Sequence, residues 1–442
     1  LGSRALGARH TGRRGHGQSR QERGHTMSEH TRGLSGGRVS RRIFLATAGA
    51  AATVAGFPAV VRAQAREVKV GYLLPVTGPL AYEAGLALNG LTLAVDEINA
   101  SGGIKSLGGA KITMMPGDTQ NKVELGNSEA SRLIDQGAVA IIGTFSSLVA
   151  FSVRQVTEKN KTPFLLLACV ADNLTEGGLK YTFRMQPNGK AMATLTVSNM
   201  FEMAKNANVP IKRVAMMHED GNFGTTMGNH VEAFSKTMGY ELVQRIPYNL
   251  RSPDLTSELA KVKAARPDLL IISGYYGDSK IIAETAAKLR IGVSALVGLA
   301  NAAYSNPKFI AENRELTEQL FDGNYWYNPQ SARARAVFEA YQKKFGSPMS
   351  NHGVQGYQVT FVLKDSLERA ASMDRDKIRD AIAKTNLTDQ ILTQDAIRFD
   401  DSGEGINATP ALIQVQNGKA VVVGPARFAE AKPVFPVPKW KS

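Results

Sequence analysis

The chain has 442 residues, 53 Lys+Arg against 39 Asp+Glu (formal net charge +14), a single cysteine and 7 histidines. One cysteine excludes an intramolecular disulfide, and histidines this sparse and scattered give no metal-ligand spacing. Residues 1–65 hold 11 Lys+Arg, 2 Asp+Glu and four of the histidines, which leaves a net of only +5 on the other 377 residues, with no dense Lys/Arg cluster of the kind a nucleic-acid face needs.

The leader comes first in chain order. Residues 1–26 are rich in Arg, Gly and His, and Met27 is the expected true start. Ile43 to Val61 is nearly uncharged, but alanine dominates it, Gly49, Gly56, Thr47 and Thr53 dilute it, and Pro58 interrupts its end. A membrane span of this length would be more apolar. Basic residues before it and Ala63-Gln64-Ala65 after it form an export signal, cleaved near Ala65. Ser40-Arg41-Arg42-Ile43-Phe44-Leu45 resembles the twin-arginine export signal, with Ala46 where a lysine is usual. The alternative is an uncleaved amphipathic anchor. After cleavage, about 377 residues with no other long apolar run suggest a soluble protein of two domains.

From Arg66 the rhythm is strand, helix, strand. "REVKVGYLLP" is a strand, and Leu88, Leu91, Ala94, Val95 and Ile98 recur at helical spacing until Gly102-Gly103. "AKITMMPGD", "AVAIIGT" and "TPFLLLA" are strands, separated by helices over "VELGNSEASRLIDQG" and "SLVAFSVRQVTEKN". This βαβ series predicts a parallel sheet covered on both faces. "YTFRMQPNGKAMATLTV" runs from a strand through Pro187-Asn188-Gly189 into a helix, where the first crossover is placed. The series then restarts with strands over "RVAMMHED", "YELVQRIPY", "DLLIISGY" and "SALVGLA", with helices between them. Helices follow over "SARARAVFEAYQKKFG", "GVQGYQVTFVLKDSLERA" and "RDKIRDAIAKT", and the end is β-like in "DAIRFDDSGEG" and "ALIQVQNGKAVVVGP". Two α/β units with further elements after both suit two lobes that exchange segments.

Catalytic signatures are absent. The chain has no G-x-x-x-x-G-K-[ST], no H-E-x-x-H and no C-x-x-C. Gly33 to Gly37 matches G-x-S-x-G inside the leader, without a preceding strand. Gly403 to Ala408 matches a dinucleotide pattern too near the C-terminus to open a βαβ unit, so turn residues between late strands are expected there. Cys169 follows a strand and reads as a buried or loop thiol rather than a nucleophile.

In open α/β sheets a ligand binds beyond the carboxyl ends of the strands. Four such loops stand out: Thr144-Phe145-Ser146-Ser147, Cys169 to Asp172, Gly221 to Gly224, and Tyr275-Tyr276-Gly277-Asp278. Ser146 and Ser147 sit at a helix start, where hydroxyls and free N–H groups favour an anion, although one serine can simply cap the helix. Aromatics at converging loops indicate a pocket.

These segments resemble the type I periplasmic solute-binding proteins, the leucine/isoleucine/valine-binding family of ABC importers. The resemblance covers residues 66–440 and rests on "VKVGYLLPVTGPLAYEAGLALNGLTLAVDEINASGGI", "AVAIIGTFSS", "NLTEGGLKYTFRMQP", "HEDGNFG", "DLLIISGYYGD" and "VFPVPKW". It implies an α/β fold of two Rossmann-like lobes joined by a three-crossing hinge that closes on a ligand. The expected layout is a leader over 1–65, one lobe over 66–187 with 325–398, the other over 188–324 with 399–435, and a tail over 436–442. The implied partners are a small-molecule ligand and a separate inner-membrane ABC permease. No cofactor, metal, nucleic acid or catalytic residue is expected, and the protein is expected to be a periplasmic monomer. The other classes weighed are a ligand-sensing subunit for a separate receptor and an exported α/β enzyme.

Carried over residue by residue, Ser146 and Ser147 match the loop that holds a ligand carboxylate. Ala168, Val170, Ala171 and Asp172 match the next loop, which lacks the family's threonine. Phe223 stands where amino-acid binders often have tyrosine, and Tyr275 and Tyr276 match. The acid that holds a ligand ammonium falls at Ala300. Asp278 or Asp172 could replace it, and Asn301 and Tyr82 complete the candidate set. The expected ligand therefore carries a carboxylate or similar acceptor and need not carry an ammonium: an aromatic or aliphatic acid, with a branched-chain amino acid as the rival.

Overall fold

The computed structural model describes residues 67–441, so the leader, its arginine pair and the Ala63–Ala65 cleavage pattern lie outside the described residues. The first unit runs β1 (Glu67–Leu74), α1 (Ala81–Ala100), β2 (Lys111–Asp118), α2 (Val123–Asp135), β3 (Ala140–Gly143), α3 (Ser147–Lys159), β4 (Phe164–Leu166) and β5 (Thr182–Arg184). Its strands form a five-stranded sheet in the order β2-β1-β3-β4-β5, with every pairing parallel. Strands β3, β4 and β5 are buried at every residue, as strands covered on both faces must be.

The second unit runs α4 (Gly189–Asn206), β6 (Arg213–Glu219), α5 (Asn222–Met238), β7 (Glu241–Tyr248), α6 (Thr256–Ala264), β8 (Leu269–Ser273), α7 (Tyr276–Leu289) and β9 (Ala295–Leu299). Two short helices follow, α8 (Pro307–Glu312) and α9 (Arg314–Thr317), then β10 (Phe321–Asn324). The chain next makes α10 (Ala332–Phe345), α11 (Asn351–Ala370) and α12 (Arg375–Ala383), then β11 (Ala411–Gln416), β12 (Lys419–Gly424) and the terminal α13 (Pro438–Lys441). The second sheet has seven strands in the order β12-β11-β10-β9-β8-β6-β7, and only the β10–β11 and β11–β12 pairings are antiparallel.

The local chemistry explains several boundaries. Asn188 caps α4 by accepting from the Ala191 N–H at 2.9 Å, so the turn after Pro187 starts a helix on the second sheet. Gly239 ends α5 in the left-handed region, at φ 73°. Asn306 and Pro307 start α8 by a side-chain cap and a proline in the first turn. Helix α11 returns to the first unit and packs along α1 at very short range. A Cβ on Gly90 would stand 2.0 Å from the Gly353 carbonyl oxygen, and one on Gly356 would stand 2.1 Å from that of Ala87, so only glycine permits this approach.

The chain passes between the two sheets after β5, after β10 and before β11. "DAIRFDDSGEG", expected to be β-like, makes only isolated bridges: Leu387 with Ile397, Phe399 with Gly405, and Arg184 with Glu404. The fully buried Arg184 holds the last of these through an ion pair to Glu404 and a 2.6 Å bond to the Ala171 carbonyl. Residues up to Gly405 therefore stay beside the first sheet. At the far end, the Val437 N–H donates to the Ser294 carbonyl at 2.8 Å and Trp440 is buried, which docks the terminal helix on the second unit.

Candidate functional site

Strand order locates the site. In the first sheet β1 lies between β2 and β3, and in the second β6 lies between β7 and β8, so consecutive connections leave in opposite directions there. Such switch points open a crevice beyond the strand ends. The loops after β3, β4, β6, β8 and β9 meet around one cavity lined by Phe145, Ser147, Ala168 and Val170 from the first unit and by Phe223, Gly274, Tyr275, Ala300 and Ala302 from the second. Tyr325, on the second crossing, and His352, in the first turn of α11, complete the lining.

The rings define its character. Phe145 and Tyr275 face each other across the two units at 6.2 Å, with Phe223 at 5.6 Å from Tyr275. His352 lies 4.8 Å from Phe145 and 6.1 Å from Tyr325. Among the described residues no carboxylate lines the cavity. Burial pushes the His352 imidazole down to about 3, so it stays neutral, and its Nδ1 has no hydrogen-bond partner among the described residues.

The two serines divide their work. Ser146 is the N-cap of α3 and accepts from the Val149 N–H at 3.5 Å. Ser147 opens the helix and lines the cavity; its Oγ accepts from the Ala171 N–H at 3.3 Å, which leaves the hydroxyl proton free to donate. Ala171 thus contributes an N–H that orients Ser147 rather than a surface to the cavity. Gly274 is required for close packing: a Cβ there would lie 2.3 Å from the Tyr248 hydroxyl and 2.4 Å from Asp278 Oδ2.

Several expected site residues are placed elsewhere, mostly in contacts between the two units. The Tyr276 N–H donates to Glu83 Oε1 at 2.7 Å. The Tyr82 hydroxyl donates to Asn306 at 2.9 Å, and its ring lies 4.7 Å from that of Tyr276. Asp172 pairs with His230 on α5 and accepts from the Lys190 N–H at 3.1 Å. Burial raises the Asp172 carboxyl, but the hydrogen bond and charge of His230, with the Lys190 N–H and Arg184, outweigh it and hold the group below its usual range. Asn301 is fully buried and ties its own turn together, donating to Ser279 Oγ at 2.8 Å and accepting from the Ala303 N–H at 2.8 Å.

Asp278 sits behind Tyr275 rather than in the cavity. Its Oδ2 accepts from the Tyr248 hydroxyl at 2.7 Å and the Tyr275 N–H at 3.3 Å, and its Oδ1 has no partner among the described residues. Burial raises this carboxyl to about 7 despite the Tyr248 hydrogen bond. Cys169 is fully buried against Thr144, with its thiol pushed up to about 11 by burial, a packed side chain and not a nucleophile.

Gly274, Ala302, Tyr325 and His352 join the lining without having been singled out in the sequence, and Phe145 stands out there only as part of its loop. Gly274 directly precedes the quoted Tyr275 loop, and the position of His352 two residues after the capping Ser350 is a signal that can be read.

The sequence signature of the family described as periplasmic binding protein matches residues 67–420. A Leu/Ile/Val-binding protein homolog 8 of Brucella suis biovar 1 (strain 1330) is 30% identical over 408 residues, covering 90% of this chain and 99% of that protein. The crystal structure of a leucine binding protein from Thermotoga maritima is similar with a TM-score of 0.70 at 24% identity, over 81% of this chain and 98% of that one. A solute binding protein from R. palustris in complex with benzoate is similar with a TM-score of 0.72 at 19% identity, over 83% and 99%. The signature spans most of the chain and the two-lobed architecture is common to these structures, so this chain belongs to the type I periplasmic binding proteins of the Leu/Ile/Val-binding family, which bind solutes and are not enzymes.

Proposed function

We propose that this protein is the exported substrate-binding component of an ABC importer, and that it captures a small carboxylate with an apolar or aromatic body. The observation that carries this reading is the cavity's composition: a hydroxyl at a helix start, four aromatic rings, a neutral histidine and no acid. The N-terminus of α3 and Ser147 favour a carboxylate oxygen. Phe145, Phe223, Tyr275 and Tyr325 suit a flat or branched apolar body. Ala300 offers an ammonium nothing, and a buried cation without a partner costs several kcal/mol.

The lining residues surround a space of about 20 Å³, room for little more than one water molecule. A solute with a carboxylate and a ring enters only if the two units separate and then close, which supports hinge motion about the three crossings. Small-angle scattering with and without saturating ligand tests this. Delivery to a separate permease, a monomeric state, and export by the twin-arginine route with cleavage after Ala65 belong to the same reading. Arg41→Lys with Arg42→Lys should hold the precursor in the cytoplasm.

One observation favours a second reading. The buried, unpartnered Oδ1 of Asp278 could turn toward an ammonium, which would suit a branched-chain amino acid, and relatives named for leucine, isoleucine and valine point the same way. Titration calorimetry separates the two. Benzoate and 4-methylpentanoate should bind more tightly than leucine and valine; micromolar leucine with no binding of its deaminated acid reverses the assignment.

A further inference from the structure

We infer that the protein has a second binding site, for a small aromatic anion, in the groove between α8–α9 and α10. Its volume is about 770 Å³, within the ~300–1,000 Å³ usual for small-molecule sites and far above the 20 Å³ of the cleft cavity. One wall is Pro307, Ile310 and Ala311 of α8, continued by the β11–β12 turn at Gly418–Ala420, all on the second unit. The opposite wall is Phe338 and Gln342 of α10, which packs against α1 of the first unit. Trp326 and Tyr327, on the second crossing, lie between them.

Two features give the groove a chemistry. The first is an aromatic cluster of tilted and edge-on rings. Tyr327 and Phe338 lie 3.8 Å apart, with Trp326 at 5.6 Å from Tyr327 and 6.4 Å from Phe338. Trp326 is 3% exposed, yet its indole N–H has no hydrogen-bond partner among the described residues, and buried donors are rarely left unpaired. The second is charge. The charged residues lining the groove are Arg314 and Lys419, both cationic, and neither has an ion-pair partner among the described residues. The neighbouring Glu318 carboxylate is held by the Asn417 and Gly418 N–H groups at 2.8 and 3.0 Å. A flat ring packed against the Trp326–Tyr327–Phe338 cluster with a carboxylate or sulfonate toward Arg314 satisfies both features. The site is distinct from the cleft, since none of its residues lines the cleft cavity.

Naphthalene-2-sulfonate is the probe. In a Trp440→Phe background Trp326 is the remaining tryptophan of the chain, and its emission should change saturably as the probe is titrated. Arg314→Gln with Lys419→Gln should weaken binding by about tenfold. Ala311→Trp, which fills the groove from an exposed helix face, should abolish it. Cleft variants such as Ser147→Ala should leave it unchanged. The inference is overturned if millimolar probe gives no saturable change, if the groove variants bind as the parent does, or if the cleft variant alone removes binding.

Discussion

Tyr275 and Tyr276 are adjacent in sequence and take opposite parts. Tyr275 turns its ring toward Phe145 and Phe223 and lines the cavity, whereas the Tyr276 N–H bonds Glu83 and its ring lies tilted beside that of Tyr82. The same division runs through the whole interface. Around the cavity the groups are apolar rings, a free hydroxyl proton and a neutral histidine whose Nδ1 lacks a partner. Around the interlobe contacts the polar groups pair across the lobes, Glu83 with the Tyr276 N–H, Tyr82 with Asn306 and Asp172 with His230 and Lys190, and of the buried polar atoms of these residues only the Tyr276 hydroxyl and Asn306 Nδ2 lack a partner among the described residues. Polar pairs matched between the lobes hold them together, and the unmatched hydroxyl proton and imidazole nitrogen that face the cavity are ones a ligand there can satisfy.

The largest expected effect comes from breaking the cavity side of this contrast. Ala300 lines the cavity, so Ala300→Glu introduces the acid that the lining lacks. A carboxylate ligand should then lose about a hundredfold or more in affinity through like-charge repulsion, while leucine gains a partner for its ammonium. Calorimetry with 4-methylpentanoate and leucine on the variant checks this. Equal affinities before and after would show that Ala300 does not face the ligand.

Asp278 sharpens the same contrast through pH. Its folded pKa is raised from 3.8 to about 7, so the protonated form is favoured in the folded state. The stability this contributes is complete below the unfolded value and is lost as pH rises through about 7. Asp278→Asn should therefore gain on the wild type by about 1–3 kcal/mol between pH 5 and pH 8. Taking the difference between the two proteins cancels the opposing titrations of the buried His218 and His352, whose pKa values are lowered. Urea unfolding at both pH values measures it, and a constant difference contradicts the assignment.

The contrast also explains what could be read from the sequence. Buried parallel strands are continuous apolar runs punctuated by Gly, Pro and Asn, so both βαβ series and the loops beyond their strands are visible without coordinates. Which face of a loop residue meets the cavity is not visible. Ser146 and Ser147 differ by one position on a helix, and only the cap geometry decides between them. Tyr82 and Glu83 start α1 well before Leu88, where the apolar periodicity becomes clear, because their partners are on the other lobe. Tyr325 and His352 reach the cavity from a crossing and from a helix far along the chain, and no local pattern records that.

Ser147→Ala is expected to have an intermediate effect. It removes the hydroxyl that faces the cavity and leaves the Ala171 N–H without its acceptor. Affinity for the carboxylate should fall by about tenfold, the cost of one hydrogen bond to a charged group. Ser146→Ala should instead lower thermal stability by the loss of a helix cap, about 1 kcal/mol, with a smaller effect on affinity. Reversal of these two outcomes in paired melting and calorimetry experiments would exchange the roles of the serines.

The smallest effect is expected from the interlobe side. Glu83 is 2% exposed and accepts from the Tyr276 N–H across the lobes. Burial raises its carboxyl, and the Tyr276 N–H opposes that rise by favouring the charged form. Glu83→Gln keeps an acceptor oxygen in the same place but exchanges a charge-assisted bond for a neutral one, roughly half as strong. If Glu83 acts only on the closed arrangement, the variant shifts the open–closed balance and lowers every ligand's affinity by the same factor, about two- to fivefold. A residue that touches the ligand would instead change the ratio between ligands. Calorimetry on benzoate, 4-methylpentanoate and leucine therefore distinguishes the two. Parallel losses place Glu83 among the contacts that hold the lobes together, and a loss confined to leucine would make Glu83 the missing acid and move it to the cavity side of the comparison.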